Sequence, residues 1–297
     1  MVSTEICFVI LHYNTLEDTQ NCVESIKRNI DTNSYEIVIV DNASPNKSGI
    51  KLQEILKNED KCHVICNENN LGFAQGNNVG IKFAVGELGA KFVCCLNNDT
   101  ILVDKAFFKK VLKNYKRTNF GLLGPRIIDR SGKTQYYNGK IYPIEEYRMV
   151  LEKLLNLPDG QYDLPKANIK NFSVKQKIVF YLKNNIIVEA LRRVKNNPYY
   201  KKHNVVLHGC CIVFSPLFLN EYEGFYPKTF LYHEEQLLFL QARKKEITTL
   251  YTPDICIKHL EDSATNSICN GNEEKKKFLL KHRIKSLKVL IAYMEER

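Results

Sequence analysis

The sequence predicts an α/β fold with a mixed, mainly parallel central sheet flanked by helices, and a more irregular helical region beyond it. Three observations carry this. Short apolar runs alternate with amphipathic stretches through the first half, the pattern of parallel strands joined by covering helices. Clusters of Asn, Asp, Ser and His stand where those apolar runs end, which is where open parallel sheets collect ligands. The 297 residues, 44% hydrophobic and 26% charged, suffice for one large α/β domain with an elaborated second half, or for two small ones.

The first strand is read over 6–11. Thr15-Leu-Glu-Asp18 resembles a capping box, after which Leu16, Cys22, Val23 and Ile26 share one helical face. A second strand over 36–40 ends in Asp41-Asn-Ala-Ser-Pro45, followed by a short helix over 50–56 and a third strand over 63–66. After an Asn/Gly-rich loop the pattern predicts a helix from about Asn77 to Leu88, then a strongly apolar strand over 92–96 ending at Asn97-Asn-Asp-Thr100. Asp104 is placed as the N-cap of a helix reaching Arg117, with a strand over 122–128 beyond it. From 131 to 204 the periodicity weakens, with breaks at Pro143, Pro158, Pro165 and Pro198 and a helical pattern over 173–194. Regular structure resumes with a strand over 205–214, a helix over 234–244, short strands over 248–251 and 255–258, and a basic amphipathic helix over 273–296. This divides the chain into a first half over 1–130, a variable basic insertion over 131–204, a second core segment over 205–265 and a C-terminal helix over 266–297.

The net charge is +10. Residues 146–202 hold 12 Lys/Arg against 5 Asp/Glu. Such a face attracts nucleic acid, anionic lipid or phosphorylated substrates, and composition alone does not choose. Most of the 10 cysteines, including Cys7, Cys94, Cys95, Cys210, Cys211 and Cys256, lie in apolar runs, where the thiol acts as a small hydrophobe. Cys62 and Cys66 lack Cys-x-x-Cys spacing. The reading is a reducing, cytoplasmic setting, without a signal peptide and without an apolar stretch of the ~18–20 residues a membrane span needs.

Three polar strand ends form one candidate site: His12-Tyr-Asn14, Asp41-Asn-Ala-Ser44 and Asn97-Asn-Asp99. Each alone is also ordinary turn chemistry. Asn97 and Asp99 offer oxygens to Mg²⁺ or Mn²⁺, hard cations that share their coordination with substrate phosphates. His233-Glu-Glu235 opens a helix, where a carboxylate serves either the macrodipole or proton transfer. His259 follows a strand and reads as structural or as a metal ligand. No Gly-x-Gly-x-x-Gly or Walker loop is present.

In order along the chain, Val9-Ile-Leu-His-Tyr-Asn14, Val40-Asp-Asn-Ala-Ser44, Asn70-Leu-Gly-Phe-Ala-Gln-Gly-Asn-Asn78, Leu96-Asn-Asn-Asp-Thr100, Phe230-Leu-Tyr-His-Glu-Glu235 and His259 with Ser263 resemble the motifs of family 2 glycosyltransferases of GT-A fold. The likeness is to those that build bacterial polysaccharides, such as rhamnosyl-, galactosyl- and N-acetylglucosaminyltransferases. It implies a donor pocket made by His12, Tyr13, Asn14, Asp41, Asn42, Asn70, Gly72, Phe73, Asn77, Asn97, Asn98 and Asp99, with Tyr13 and Asp41 holding the base. It implies a divalent metal (Mn²⁺ or Mg²⁺) at Asp99 and His259, and Glu235 as general base with Glu234 beside it and open as the alternative. Asn97 stands where the strict motif has aspartate, and Glu235 where aspartate is usual.

The implied reaction is inverting transfer of a sugar from a UDP- or dTDP-linked donor to a glycan or lipid-linked oligosaccharide acceptor. The basic segments then suit peripheral contact with an anionic membrane at its inner face. A pyrophosphorylase would need a Gly-rich basic loop after the first strand, which is absent. No nucleic-acid module is recognisable, so nucleic acid is not an expected partner. A non-catalytic nucleotide-sugar or glycan-binding relative of the same fold is the alternative.

Overall fold

The computed structural model describes residues 4–135, 139–158, 160–162, 197–260 and 272–296. A nine-stranded sheet runs through it. Its strands are β1 (Ile6–His12), β2 (Tyr35–Asp41), β3 (Cys62–Cys66), β4 (Phe92–Asn97), β5 (Thr100–Leu102), β6 (Leu122–Ile128), β7 (Lys202–His203), β8 (Cys211–Phe214) and β9 (Thr249–His259). The order is β3-β2-β1-β4-β8-β6-β9-β5, with β7 on β9. The first four strands in that order are mutually parallel, and β8 is inserted antiparallel between β4 and β6.

The helices are α1 (Leu16–Asn29), α2 (Ser48–Leu56), α3 (Gly72–Gly86), α4 (Phe107–Thr118), α5 (Ile144–Leu155), α6 (Pro216–Leu219), α7 (Glu234–Lys244) and α8 (Asn272–Glu295). Central strands covered on both faces read as unbroken apolar runs, and residues 6–10 of β1 are all fully buried. Side chains alternate between faces. Ile6, Phe8 and Ile10 join a core with residues of α1, α2 and α4, whereas Cys7 and Val9 join one with residues of α3 and α7. A third apolar cluster ties α5, α7 and α8 together through Tyr147, Leu237, Leu240, Leu287 and Leu290.

The mainly parallel sheet and its flanking helices agree with the expected class. Several local expectations change. Thr15 stands at the N-cap of α1 without a capping bond, because its hydroxyl accepts from Asn98 Nδ2 at 2.6 Å. The third helix begins at Gly72, five residues before the expected start. Asp104 is not the N-cap of α4; it accepts from the Ala106 amide at 3.1 Å and pairs with Lys110 at 2.6 Å. The strand expected over 205–214 is regular only from Cys211, and the two short strands expected near 250 and 257 are one strand, β9, with a register shift opposite Pro125/Arg126. α5 and β5 come from segments read as irregular or as loop. The helical pattern over 173–194 lies outside the described residues.

The nine cysteines among the described residues are free thiols, six of them buried. No helix of the described residues is long and apolar enough to cross a membrane.

Candidate active site

Parallel pairing brings the polar strand ends together. His12 stands in register with Asp41 across β1 and β2, and Leu11 stands opposite Asn97 across β1 and β4. All three strands therefore deliver their carboxyl ends to one edge, where the loops carry the polar clusters.

Many of these side chains turn inward and brace one another. His12 is fully buried, with Nδ1 at 2.7 Å from Thr19 Oγ1 and Nε2 at 2.7 Å from Ser48 Oγ. Burial holds its pKa below the usual histidine value, against the opposing charge of Asp41. Asp41 accepts from the Ser44 hydroxyl and amide. A Cβ at Gly49 would meet Asp41 Oδ2 at 2.2 Å, so α2 approaches this carboxylate only because residue 49 has no side chain. Asn42 Oδ1 accepts from the Leu71 amide at 3.0 Å and from Asn67 Nδ2 at 3.2 Å, while its own Nδ2 donates to Asn70 Oδ1 at 2.9 Å and Gly72 O at 3.1 Å. Asn98 Nδ2 donates to the hydroxyls of Thr15 and Thr19. Asn77 donates to Phe73 O within α3. Thus His12, Asn42, Asn77 and Asn98 set the loop backbones, and their side chains are closed off from solvent. Tyr13 and Asn14 are half-buried, Asn14 at a positive φ of 64° with its amide donating to Ser44 Oγ.

The second half supplies a different kind of group. Tyr232 and His233, at φ 78° and 67°, are two successive left-handed residues without being glycine. Such backbone is costly for side chains with a Cβ and collects at functional sites. The turn starts α7 so that Glu234 and Glu235 fall in its first helical turn. Glu234 is buried, and burial first, then the charge of Glu235, push its pKa up to about 8. Burial also raises Glu235, which bonds the Gly209 backbone and whose Oε1 lies 3.0 Å from where a Gly209 Cβ would stand.

Asp99 and His259 meet across β5 and β9. Thr100 pairs with His259, the Leu260 amide donates to Asp99 O at 2.9 Å, and His259 Nε2 lies 3.2 Å from Asp99 Oδ1. His208 packs edge-on against His259 with centroids 5.8 Å apart and takes the Cys210 amide on Nδ1 at 3.1 Å. Burial, then the proximity of His259, lower its pKa to about 4. The Cys210 thiol is raised by burial first, and then by Cys211, Asp99 and Glu235. Cys210 O in turn accepts from the Asn97 amide at 3.0 Å.

Asp99 and His259 fit a divalent cation. Asp99 Oδ1 and His259 Nδ1 are buried without a hydrogen-bond partner, and the two side chains offer one hard oxygen and one imidazole. Among the described residues no group of three or more His, Cys, Asp or Glu converges. A cation here would need phosphate oxygens to complete its shell, as Mg²⁺ commonly does.

A cavity of about 580 Å³ opens beside the first turn of α7. Phe73, Asn97, His208, Gly209, Glu234 and Glu235 line it on one side, and α8 on the other. His208, Gly209 and the α8 residues were not singled out in sequence; the only signal was the polar His208-Gly209 pair ahead of an apolar run. Ser263 lies outside the described residues.

Over 128 residues, 43% of this chain and 38% of the relative, the protein is 29% identical to the low-salt glycan biosynthesis hexosyltransferase Agl10 of Haloferax volcanii. Over 137 residues, 46% of this chain and 43% of the relative, it is 30% identical to the dTDP-rhamnosyl transferase RfbF of Shigella flexneri. The matched stretches span less than half of those relatives' lengths. Among solved structures, S. aureus TarS 1-349 in complex with UDP-GlcNAc superposes with TM-score 0.51 at 15% identity, over 95% of this chain and 66% of that one, which establishes likeness of fold. The glycosyl transferase family 2 model matches residues 7–164, more than half of the chain. With its GT-A-like sheet and that match, the chain belongs to glycosyl transferase family 2.

Proposed function

We propose that the protein is an inverting glycosyltransferase that moves a sugar from a nucleotide-diphosphate donor to a hydroxyl of a glycan or lipid-linked acceptor in cell-surface polysaccharide synthesis. The observation that carries this is that Glu235 lines one cavity with Asn97 and His208, and that His208 packs against His259, which lies 3.2 Å from Asp99. The names of the relatives favour a UDP-sugar or dTDP-rhamnose donor.

Glu235 is the general base. It faces the cavity beside Gly209, whereas Glu234 is buried and pushed to about pKa 8, so it is largely protonated near pH 7. Glu234 is a positioning residue, directly after the Tyr232–His233 turn and in the first turn of α7. Glu235 takes the proton of the acceptor hydroxyl as that oxygen bonds the anomeric carbon. The bond from that carbon to the diphosphate oxygen breaks with its electron pair leaving on the diphosphate, and attack from the opposite face inverts the centre. Asp99 and His259 would hold Mn²⁺ or Mg²⁺, which would supply positive charge against the leaving diphosphate. Tyr13 and Asp41 hold the pyrimidine, and the loop starting at Asn70 closes the pocket with Gly72 and Phe73.

Calorimetric titration with UDP, dTDP, GDP and CDP, with and without Mn²⁺, tests this reading. One pyrimidine diphosphate is expected to bind with metal and to lose that binding in Asp99→Ala. Absence of nucleotide binding under every condition would leave a glycan-binding relative of the fold as the better account. We also place the protein in the cytoplasm, peripherally on the inner membrane face. Lys277, Lys281, Lys285 and Lys288 form an exposed stripe on α8 suited to anionic lipid. Failure to sediment with anionic vesicles at low salt would remove that part.

A further inference from the structure

The cavity has a wall that the transfer step does not use. α8 presents Lys276, Leu279, Leu280 and Arg283 to it, the i, i+3, i+4, i+7 spacing of one helical face. Farther along the same face, Leu287, Leu290 and Ile291 are buried in the cluster shared with α5 and α7. The face therefore changes character halfway. Its C-terminal half is apolar and closes the core, and its N-terminal half sets two cations, with two leucines between them, over the cavity.

The helix is held in place there. Ser286 Oγ donates to Leu231 O at 2.6 Å, and His282 stacks on Phe230 with centroids 4.3 Å apart. Lys276 stands exposed at the mouth and, among the described residues, makes no ion pair or hydrogen bond. Arg283 is half-buried and close enough to His233 that its charge, after burial, helps hold that imidazole down to about 4. Across the cavity stand Glu234, protonated near neutral pH, and Glu235. Lys276 and Arg283 thus line the same cavity as Glu235.

We propose that this wall is an acceptor subsite for an anionic group: the acceptor carries a phosphate or carboxylate, held by Lys276 and Arg283, while its hydroxyl faces Glu235. A guanidinium and an ammonium suit either anion, the guanidinium in bidentate geometry. Leu279 and Leu280 supply the apolar contact between them. The inference rests on the transferase reading of the same cavity and adds the chemical class of its acceptor.

The test uses the full chain with saturating UDP and Mn²⁺, titrated with glucose 1-phosphate, glucuronate and methyl glucoside. At least one anionic sugar is expected to bind about tenfold or more tightly than methyl glucoside, as a charge-assisted contact allows, and the stronger of the two names the anion. Lys276→Ala and Arg283→Ala each remove that preference and leave UDP affinity unchanged. Lys277→Ala, on the outward face, leaves both as they were. Equal binding of the three sugars, or an equal loss in Lys277→Ala, overturns the proposal. A fall in UDP affinity in Lys276→Ala or Arg283→Ala also overturns it, by assigning the cations to the donor. Lys276→Ala, at an exposed position, decides the matter even if Arg283→Ala does not fold. Failure of UDP itself to bind is a different result, which removes the transferase reading and this one with it.

Discussion

The two halves of the site hold their polar groups by opposite means. In the first half, His12, Asn42, Asn77 and Asn98 are buried and bonded to neighbouring side chains and backbone. In the second, Tyr232 and His233 lie at positive φ, and Glu234, Glu235 and His208 have pKa values moved by burial. Satisfied networks fix geometry and resist change, whereas desolvated carboxylates and strained turns store reactivity at some cost in stability. The first half is a braced polar network, and the second a set of titratable groups with shifted pKa values.

Four substitutions sharpen or break that contrast, from largest effect to smallest. Glu235→Gln is expected to lower kcat by about 10²–10⁴-fold, the range for loss of a general base, with nucleotide affinity unchanged by calorimetry. Near-normal turnover would take Glu235 out of the role. Gly72→Ala acts on the seam between the halves. Gly72 has φ +77°, and a Cβ there would come within 2.4 Å of Phe230 O. A loss of about 3 kcal/mol is expected from the denaturation midpoint, at constant slope.

Glu234 makes the third case through pH. Its folded pKa of about 8 exceeds the ordinary 4.5, so folding favours its protonated form. The stability it contributes is full below about 4.5 and is lost as pH rises towards 8. Between pH 5 and 8.5 the wild type should lose on the order of 2 kcal/mol more than Glu234→Gln, and parallel melting curves for the two proteins would refute this. The smallest effect belongs to Asn98→Ala, which removes the donor shared by the Thr15 and Thr19 hydroxyls, Thr19 keeping its contact with His12. About 1–2 kcal/mol of stability is expected to go, read by thermal melting.

Much of the first half was legible in sequence, because a parallel sheet buried on both faces writes its strands as unbroken apolar runs and its ligand edge as the polar residues that end them. Which of those residues face a ligand was not legible. An asparagine that braces a loop, such as Asn42, is spelled like one that contacts a donor. Thr15 shows the same limit: the capping pattern was there, but Asn98, 83 positions away, claims the hydroxyl. Glu234 and Glu235 were visible as acids opening a helix, and their inequality was not, since it arises from burial and from Gly209. His208 and the cations of α8 enter the site only through long-range packing, which no local pattern encodes.

The buried thiols have a practical consequence. Cys7, Cys22, Cys94, Cys95, Cys210 and Cys211 are distributed over β1, α1, β4, β8 and the residue just before β8, and Cys66 is exposed. Only a thiolate reacts readily with an alkylating reagent, and burial suppresses both its formation and its access. Cys66 should therefore be modified at once, and the six interior thiols at the rate at which the sheet opens. The protein carries its own clock for unfolding, distributed across the strands that carry the site, and no label need be introduced to read it.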